Sequence, residues 1–165
     1  MYYILIDQNI LRKVSILLKQ KKLTVATAES CTGGLIAHCL TNISGSSEFF
    51  ERGIISYSNN AKIELLDISE EILKKYGAVS KQVAESMAIG IRFKSNVDIG
   101  ISTTGIAGPT GGTKEKPVGL VFIGISSQEN TIVKKFNFNG DRLENKESTC
   151  NEALKMLLEI ISKFW

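Results

Sequence analysis

The sequence predicts a three-layer α/β/α domain with a mixed, mainly parallel sheet, and three observations carry that prediction. Short β-rich runs alternate with amphipathic helical runs through most of the chain. Two apolar runs, Leu23 to Ala28 and Val97 to Ser102, each pass straight into a polar loop containing glycines. Buried strands end in this way at the ligand edge of an open sheet. Late in the chain, Leu120 to Ser126 and Thr131 to Phe138 follow one another across a polar turn, as an antiparallel pair would.

The elements follow in order. Asp7 can cap a first helix with Leu11, Val14, Leu17 and Leu18 on one face. The run Lys19-Gln20-Lys21-Lys22 suits its end, where cations complement the helix dipole. The strand from Leu23 leads into Thr27-Ala28-Glu29-Ser30-Cys31-Thr32-Gly33-Gly34, and a helix from about Gly34 to Thr41 comes next. Gly45-Ser46-Ser47 breaks the chain before a second strand, Gly53 to Tyr57, which stops at Ser58-Asn59-Asn60. Ala61 to Leu66 and Glu70 to Tyr76 suit short helices, and beyond Gly77 a longer helix opens at Ser80 and runs to about Arg92. The glycine-dense stretch Thr103 to Gly112 is a second candidate loop, closed by Lys116-Pro117-Val118-Gly119. Asp141 to Trp165 sets Ala153, Leu154, Leu157, Leu158 and Ile161 at helical spacing, a face that should pack on the sheet.

Composition narrows the class. A chain of 165 residues, 43% hydrophobic and 22% charged, fits one soluble globular domain spanning 1–165, with a core that needs no disulfide or metal. The opening Met1 to Ile6 is too short to span a membrane and has neither the basic flank nor the cleavage site of a signal peptide, so a cytoplasmic protein is expected. Cys31, Cys39 and Cys150 are an odd set without paired spacing, which points to reduced thiols rather than a disulfide framework or zinc site. Basic residues outnumber acidic ones by 20 to 17 but are scattered, so no nucleic-acid surface is called for, and no membrane partner either.

Two loops could carry chemistry. Ser30 falls at a strand's carboxyl end before a helix, a suitable place for a hydroxyl nucleophile, with Gly33 and Gly34 letting backbone N–H groups approach an anion. The plainer alternative makes Thr32 a helix cap and the glycines a tight turn. A serine needs a base, and the single histidine, His38, reads as a packed helical residue, which leaves lysine. Lys62 is the candidate, because Tyr57 at a strand end and Lys62 in the next helix could face one cleft; an ordinary surface lysine has the same spacing. Cys31 is a rival nucleophile, and Glu29 either orients a ligand or stabilises the helix start. Gly105, Ile106, Ala107 and Gly108 begin a loop rich in N–H groups and poor in side-chain bulk, and Arg142 could meet a carboxylate or phosphate. That loop matches neither of the glycine-rich nucleotide motifs, GxxxxGK[ST] or GxGxxG.

Taken together, TAESCTGGLIA (27 to 37), GSSEFFERGIISYSNNAK (45 to 62), GAVS (77 to 80), GIAGPTGG (105 to 112), EKPVGLVF (115 to 122) and FNGDR (138 to 142) resemble one family, the CinA C-terminal domain, also found alone as nicotinamide-nucleotide amidase. The resemblance implies an amidase that hydrolyses the carboxamide of nicotinamide mononucleotide to nicotinic acid mononucleotide and ammonia, without metal or organic cofactor. It implies Ser30 as nucleophile, Lys62 as its proton acceptor and Tyr57 as the hydroxyl completing the proton network. Glu29, Thr32, Gly33, Gly34, Gly105, Ile106, Ala107, Gly108 and Arg142 are then the expected substrate contacts, and a homo-oligomer is expected. The alternative is a non-catalytic nucleotide-binding or regulatory module of the same fold. Two departures stand out. Lys146 occupies a position four residues after Arg142 where relatives commonly carry arginine, so a bidentate fork is lost. The larger N-terminal domain of two-domain relatives is absent from this sequence, which reads as the stand-alone form.

Overall fold

The computed structural model describes residues 6–164; Met1 to Leu5, most of the opening apolar run, and Trp165 lie outside them. Helix α1 (Gln8–Lys21) starts at Asp7, whose carboxylate accepts from the N–H groups of Asn9 and Ile10 at 2.9 and 3.1 Å. Two of the donors that a helix N-terminus leaves unpaired are thereby satisfied. Strand β1 (Val25–Glu29) is buried at every position, and helix α2 (Leu35–Thr41) follows it after a tight turn. Strand β2 (Phe50–Ile55) precedes three helices, α3 (Asn59–Leu66), α4 (Glu70–Tyr76) and α5 (Lys81–Ser95). Ser58, Ser69 and Ser80 cap these helices, each accepting from an N–H three residues on, an arrangement worth about 1 kcal/mol apiece.

Strands β3 (Ile99–Gly105), β4 (Leu120–Ser126) and β5 (Thr131–Asn137) complete the sheet, and helix α6 (Arg142–Phe164) closes the chain. The strand order is β2-β1-β3-β4-β5. The β1 ladders with β2 and β3 are parallel, and those of β4 with β3 and β5 are antiparallel, so only β4 runs against the others.

Helices cover both faces. On one side α1, α2 and α6 pack Leu18, Ile36, Leu40, Leu154 and Leu157 against Val25, Ile99, Ile101 and Ile123. On the other, α3, α4 and α5 pack Leu66, Leu73, Val83, Met87 and Ile91 against Ala26 and Ala28. Alternation along β1 sends Val25 to the first core and its alanine neighbours to the second, as the strand's two-residue period requires. Each fully buried leucine or isoleucine contributes about 2 kcal/mol.

The limits of β2 and β3 differ from expectation because pairing overrides propensity. β2 begins at Phe50 rather than Gly53 and ends two residues before Tyr57, since its register with β1 runs from Val25 opposite Phe50 to Glu29 opposite Ile55. β3 continues past Ser102 to Gly105, where it still pairs with Val121 of β4.

Candidate active site

The carboxyl ends of the parallel neighbours β2, β1 and β3 lie side by side, and the chain turns sharply after the middle one. Gly33 and Gly34 adopt φ values of +63° and +95°, the left-handed region where only glycine is unstrained. Gly34 gives α2 no side-chain cap. The Glu29 carboxylate takes that place: Oε2 accepts from Thr32 Oγ1 at 2.6 Å, Gly34 N–H at 3.0 Å and Ile36 N–H at 3.1 Å, and Oε1 from Ala37 N–H at 2.8 Å. Thr32 Oγ1 lies 2.8 Å from Thr103 Oγ1, and because the Thr32 hydrogen goes to the carboxylate, Thr103 is the donor. Ser30 N–H donates to the Thr103 carbonyl at 3.0 Å. The N-terminus of α2, expected to receive a ligand anion, is therefore filled by the protein's own carboxylate.

Ser30 meets Lys62 from the first turn of α3. Lys62 Nζ lies 3.0 Å from Ser30 Oγ, 2.7 Å from the Ser56 carbonyl and 3.5 Å from that of Tyr57. Only 1% of Lys62 is exposed. Burial disfavours the ammonium form and pulls its pKa from 10.5 down to about 8, against a smaller opposing effect of Cys31. The neighbouring Cys31 is buried too, and burial pushes its thiol up to about 12, so it stays protonated where the lysine is half neutral. His38 pairs with Asn42 through Nε2 at 3.0 Å on the exposed face of α2.

Across the cleft, Arg142 is the first residue of α6. A reciprocal pair sets the helix start: Glu144 N–H donates to Asp141 Oδ1 at 2.9 Å, and Asp141 N–H to Glu144 Oε2 at 2.7 Å. The guanidinium donates through Nη1 to the Gly108 carbonyl at 2.8 Å and through Nη2 to the Tyr57 hydroxyl at 3.0 Å. The Tyr57 hydroxyl, expected in the proton network, is thus engaged with Arg142, and it is the backbone carbonyl of Tyr57 that reaches Lys62. The cause is local: Tyr57 lies beyond the end of β2 in the segment entering α3, with 61% of the residue exposed.

A cleft of about 330 Å³ brings together Ser30, Cys31, Tyr57, Lys62, Gly105, Ile106, Ala107, Gly108 and Arg142. Glu29, Thr32, Gly33 and Gly34 are not in its lining; they form the support behind Ser30. Lys146 stands against that support, its Nζ 3.7 Å from where a Cβ on Gly33 would be. Among the described residues no carboxylate lines the cleft, so its field favours an anionic ligand. Sequence reasoning missed Ala78, Val79, Thr104, Thr110 and Gly111 in the lining. It also missed Asn145, whose amide donates to the carbonyls of Ala107 and Gly140 at 3.0 and 2.9 Å and ties the loop to α6. The loop composition and the GAVS stretch pointed toward the first group; nothing marked Asn145. Among the described residues no group of histidine, cysteine, aspartate and glutamate side chains is placed to hold a metal, and no helix is long and apolar enough to cross a membrane.

An open, doubly covered α/β sheet with a buried serine–lysine contact beyond its parallel strand ends defines the class: an α/β domain with a cleft at the carboxyl ends of its strands. The chain belongs to the CinA C-terminal domain family, whose profile matches residues 7–161. It is 54% identical over 153 residues to a Caldicellulosiruptor bescii protein named for competence-damage induction, covering 92% of this chain and 37% of that protein. To the CinA-like protein of Syntrophus aciditrophicus it is 51% identical over 152 residues, 92% of this chain and 36% of the relative. The chain therefore spans less than two fifths of the length of either. Among solved structures, the competence/damage inducible protein CihA of Agrobacterium tumefaciens superposes with a TM-score of 0.90 at 40% identity, over 92% of this chain and 93% of that one. The competence damage-inducible protein A of Klebsiella pneumoniae gives 0.92 at 30% identity, over 95% and 98%.

Proposed function

We propose that the protein is an amidohydrolase that converts nicotinamide mononucleotide to nicotinic acid mononucleotide and ammonia, with Ser30 as nucleophile and Lys62 as base. One observation carries this: a buried amine, half neutral near pH 8, lies 3.0 Å from the Ser30 hydroxyl inside the cleft. A neutral amine has two hydrogens and one lone pair. The carbonyls of Ser56 and Tyr57 take the two hydrogens, which leaves the lone pair for the serine proton.

Ser30 Oγ attacks the carboxamide carbon as its proton passes to Lys62, and the carbonyl oxygen becomes an oxyanion. The N–H groups of Ser30, Gly33 and Gly34 are already donated within the fold. Those of Cys31, Ala107 and Gly108, which line the cleft, are left to stabilise that charge. Lys62 returns the proton to the departing nitrogen, and ammonia leaves. Water then attacks the acyl-Ser30 ester and gives a proton to Lys62, which passes it to Ser30 Oγ as the ester bond breaks and nicotinic acid mononucleotide leaves. Arg142 and the loop from Gly105 hold the phosphate, in keeping with a cleft that has a guanidinium and no acid. No cofactor enters these steps. The partner is a small nucleotide.

Coupled detection of ammonia from purified protein and nicotinamide mononucleotide tests the proposal. Wild-type protein is expected to turn over, and Ser30→Ala to lose at least about a thousandfold in kcat while staying folded. Calorimetric binding without ammonia release would replace this reading with that of a nucleotide-binding module.

A further inference from the structure

We infer that Glu29 is the positioning residue of the site: it sets where Ser30 stands relative to Lys62 and touches no substrate itself. The inference rests on the Ser30 and Lys62 roles proposed above. A helix as short as α2, opened by a left-handed glycine with no side-chain cap, leaves its first N–H groups needing acceptors in a buried place. Glu29 meets that need from the end of β1, and its two oxygens accept four hydrogen bonds. With 1% of the residue exposed, it offers no surface to a ligand.

A cap alone would end there, but Glu29 also governs the base. Its backbone carbonyl accepts from Ser56 N–H at 2.9 Å, and the Ser56 carbonyl in turn orients Lys62 Nζ at 2.7 Å. One residue thus controls both sides of the contact: the side chain holds the turn carrying Ser30, and the main chain holds the acceptor that aims the amine. On the nucleophile side Ser30 is bracketed, with Glu29 before it, Thr32 after it, and Thr103 joining them through its hydroxyl to Thr32 and its carbonyl to Ser30 N–H. A misplacement of about 1 Å between reacting groups costs on the order of a hundredfold in rate.

Glu29→Gln keeps the volume but turns one acceptor oxygen into a donor facing other donors. The test follows turnover of nicotinamide mononucleotide, together with intact-mass labelling of Ser30 by a serine-directed sulfonyl fluoride. The expected result is a fall of about a hundredfold in kcat with KM within about threefold, a parallel fall in labelling rate, and a pH midpoint still near that of the wild type. Thr32→Val is a milder variant should Glu29→Gln fail to fold; it removes the hydroxyl linking the carboxylate to Thr103 and is expected to lower kcat about tenfold with KM unchanged. A folded Glu29→Gln labelled and turning over at the wild-type rate, or one whose loss falls entirely in KM, overturns the inference and leaves the Ser30 role intact. Wild-type protein that is neither labelled at Ser30 nor active removes the Ser30 role, and this inference with it.

Discussion

Replacing Lys62 with methionine is expected to abolish turnover and yet make the folded protein more stable at neutral pH. The base that the site requires is a cost to the fold. Burial lowers the Lys62 pKa from 10.5 to about 8. At 1.36 kcal/mol per pH unit, the gap between 10.5 and about 8 amounts to about 3 kcal/mol. Its sign follows from proton binding. Between pH 8 and 10.5 the unfolded chain holds this proton and the folded chain has released it, so wild-type stability rises with pH across that window. Below pH 8 the penalty is present in full, and above 10.5 it is gone. Methionine binds no proton, so the variant lacks the rise. At pH 7 it loses the penalty but also leaves the Ser56 carbonyl without its donor, an orphaned acceptor that costs about 1 to 3 kcal/mol. The net gain expected there is up to about 2 kcal/mol. Between pH 7 and 9.5 the gap between variant and wild type should shift by about 2 kcal/mol in favour of the wild type, because the other titrating groups are common to both proteins. Urea unfolding of both at several pH values in that range measures the gap. A difference that stays constant with pH would refute the reasoning, since Lys62 would then titrate alike folded and unfolded. Wild-type kcat/KM should rise through the same midpoint and level off above it, as the amine becomes neutral.

Two other perturbations probe the far wall and the fold. Arg142→Ala removes the guanidinium that joins Gly108 to Tyr57, and should raise KM for the phosphorylated substrate about 10- to 100-fold with a smaller change in kcat, measured by steady-state ammonia release. Gly119→Ala should destabilise the protein by more than about 3 kcal/mol in denaturant titration: Gly119 has φ +88°, and an added Cβ would collide with the Phe138 carbonyl.

Much of this architecture is legible in the sequence because it depends on short-range pattern. Asp7, Ser58, Ser69 and Ser80 each precede a helix and each caps it. The β-branched runs became strands, and the glycines at 33 and 34 fell where φ turns positive. Where the sequence misled, distant partners decided. The limits of β2 and β3 come from ladder register with β1 and β4, a contact between segments far apart in the chain.

At the site the division has the same origin. The order of residues along the chain determined that a serine would end a buried strand, that a glycine turn would follow, and that a lysine would sit one turn into a later helix. Tertiary structure alone decided what each does. It closed 32 positions of separation between Ser30 and Lys62 to 3.0 Å and buried the amine. It turned Glu29 inward beneath α2 and joined the Tyr57 hydroxyl to Arg142 across 85 positions of chain. Local preference follows from a residue and its neighbours, whereas burial, pKa and hydrogen-bond partners depend on what packing brings against them, and no spacing along the chain encodes that.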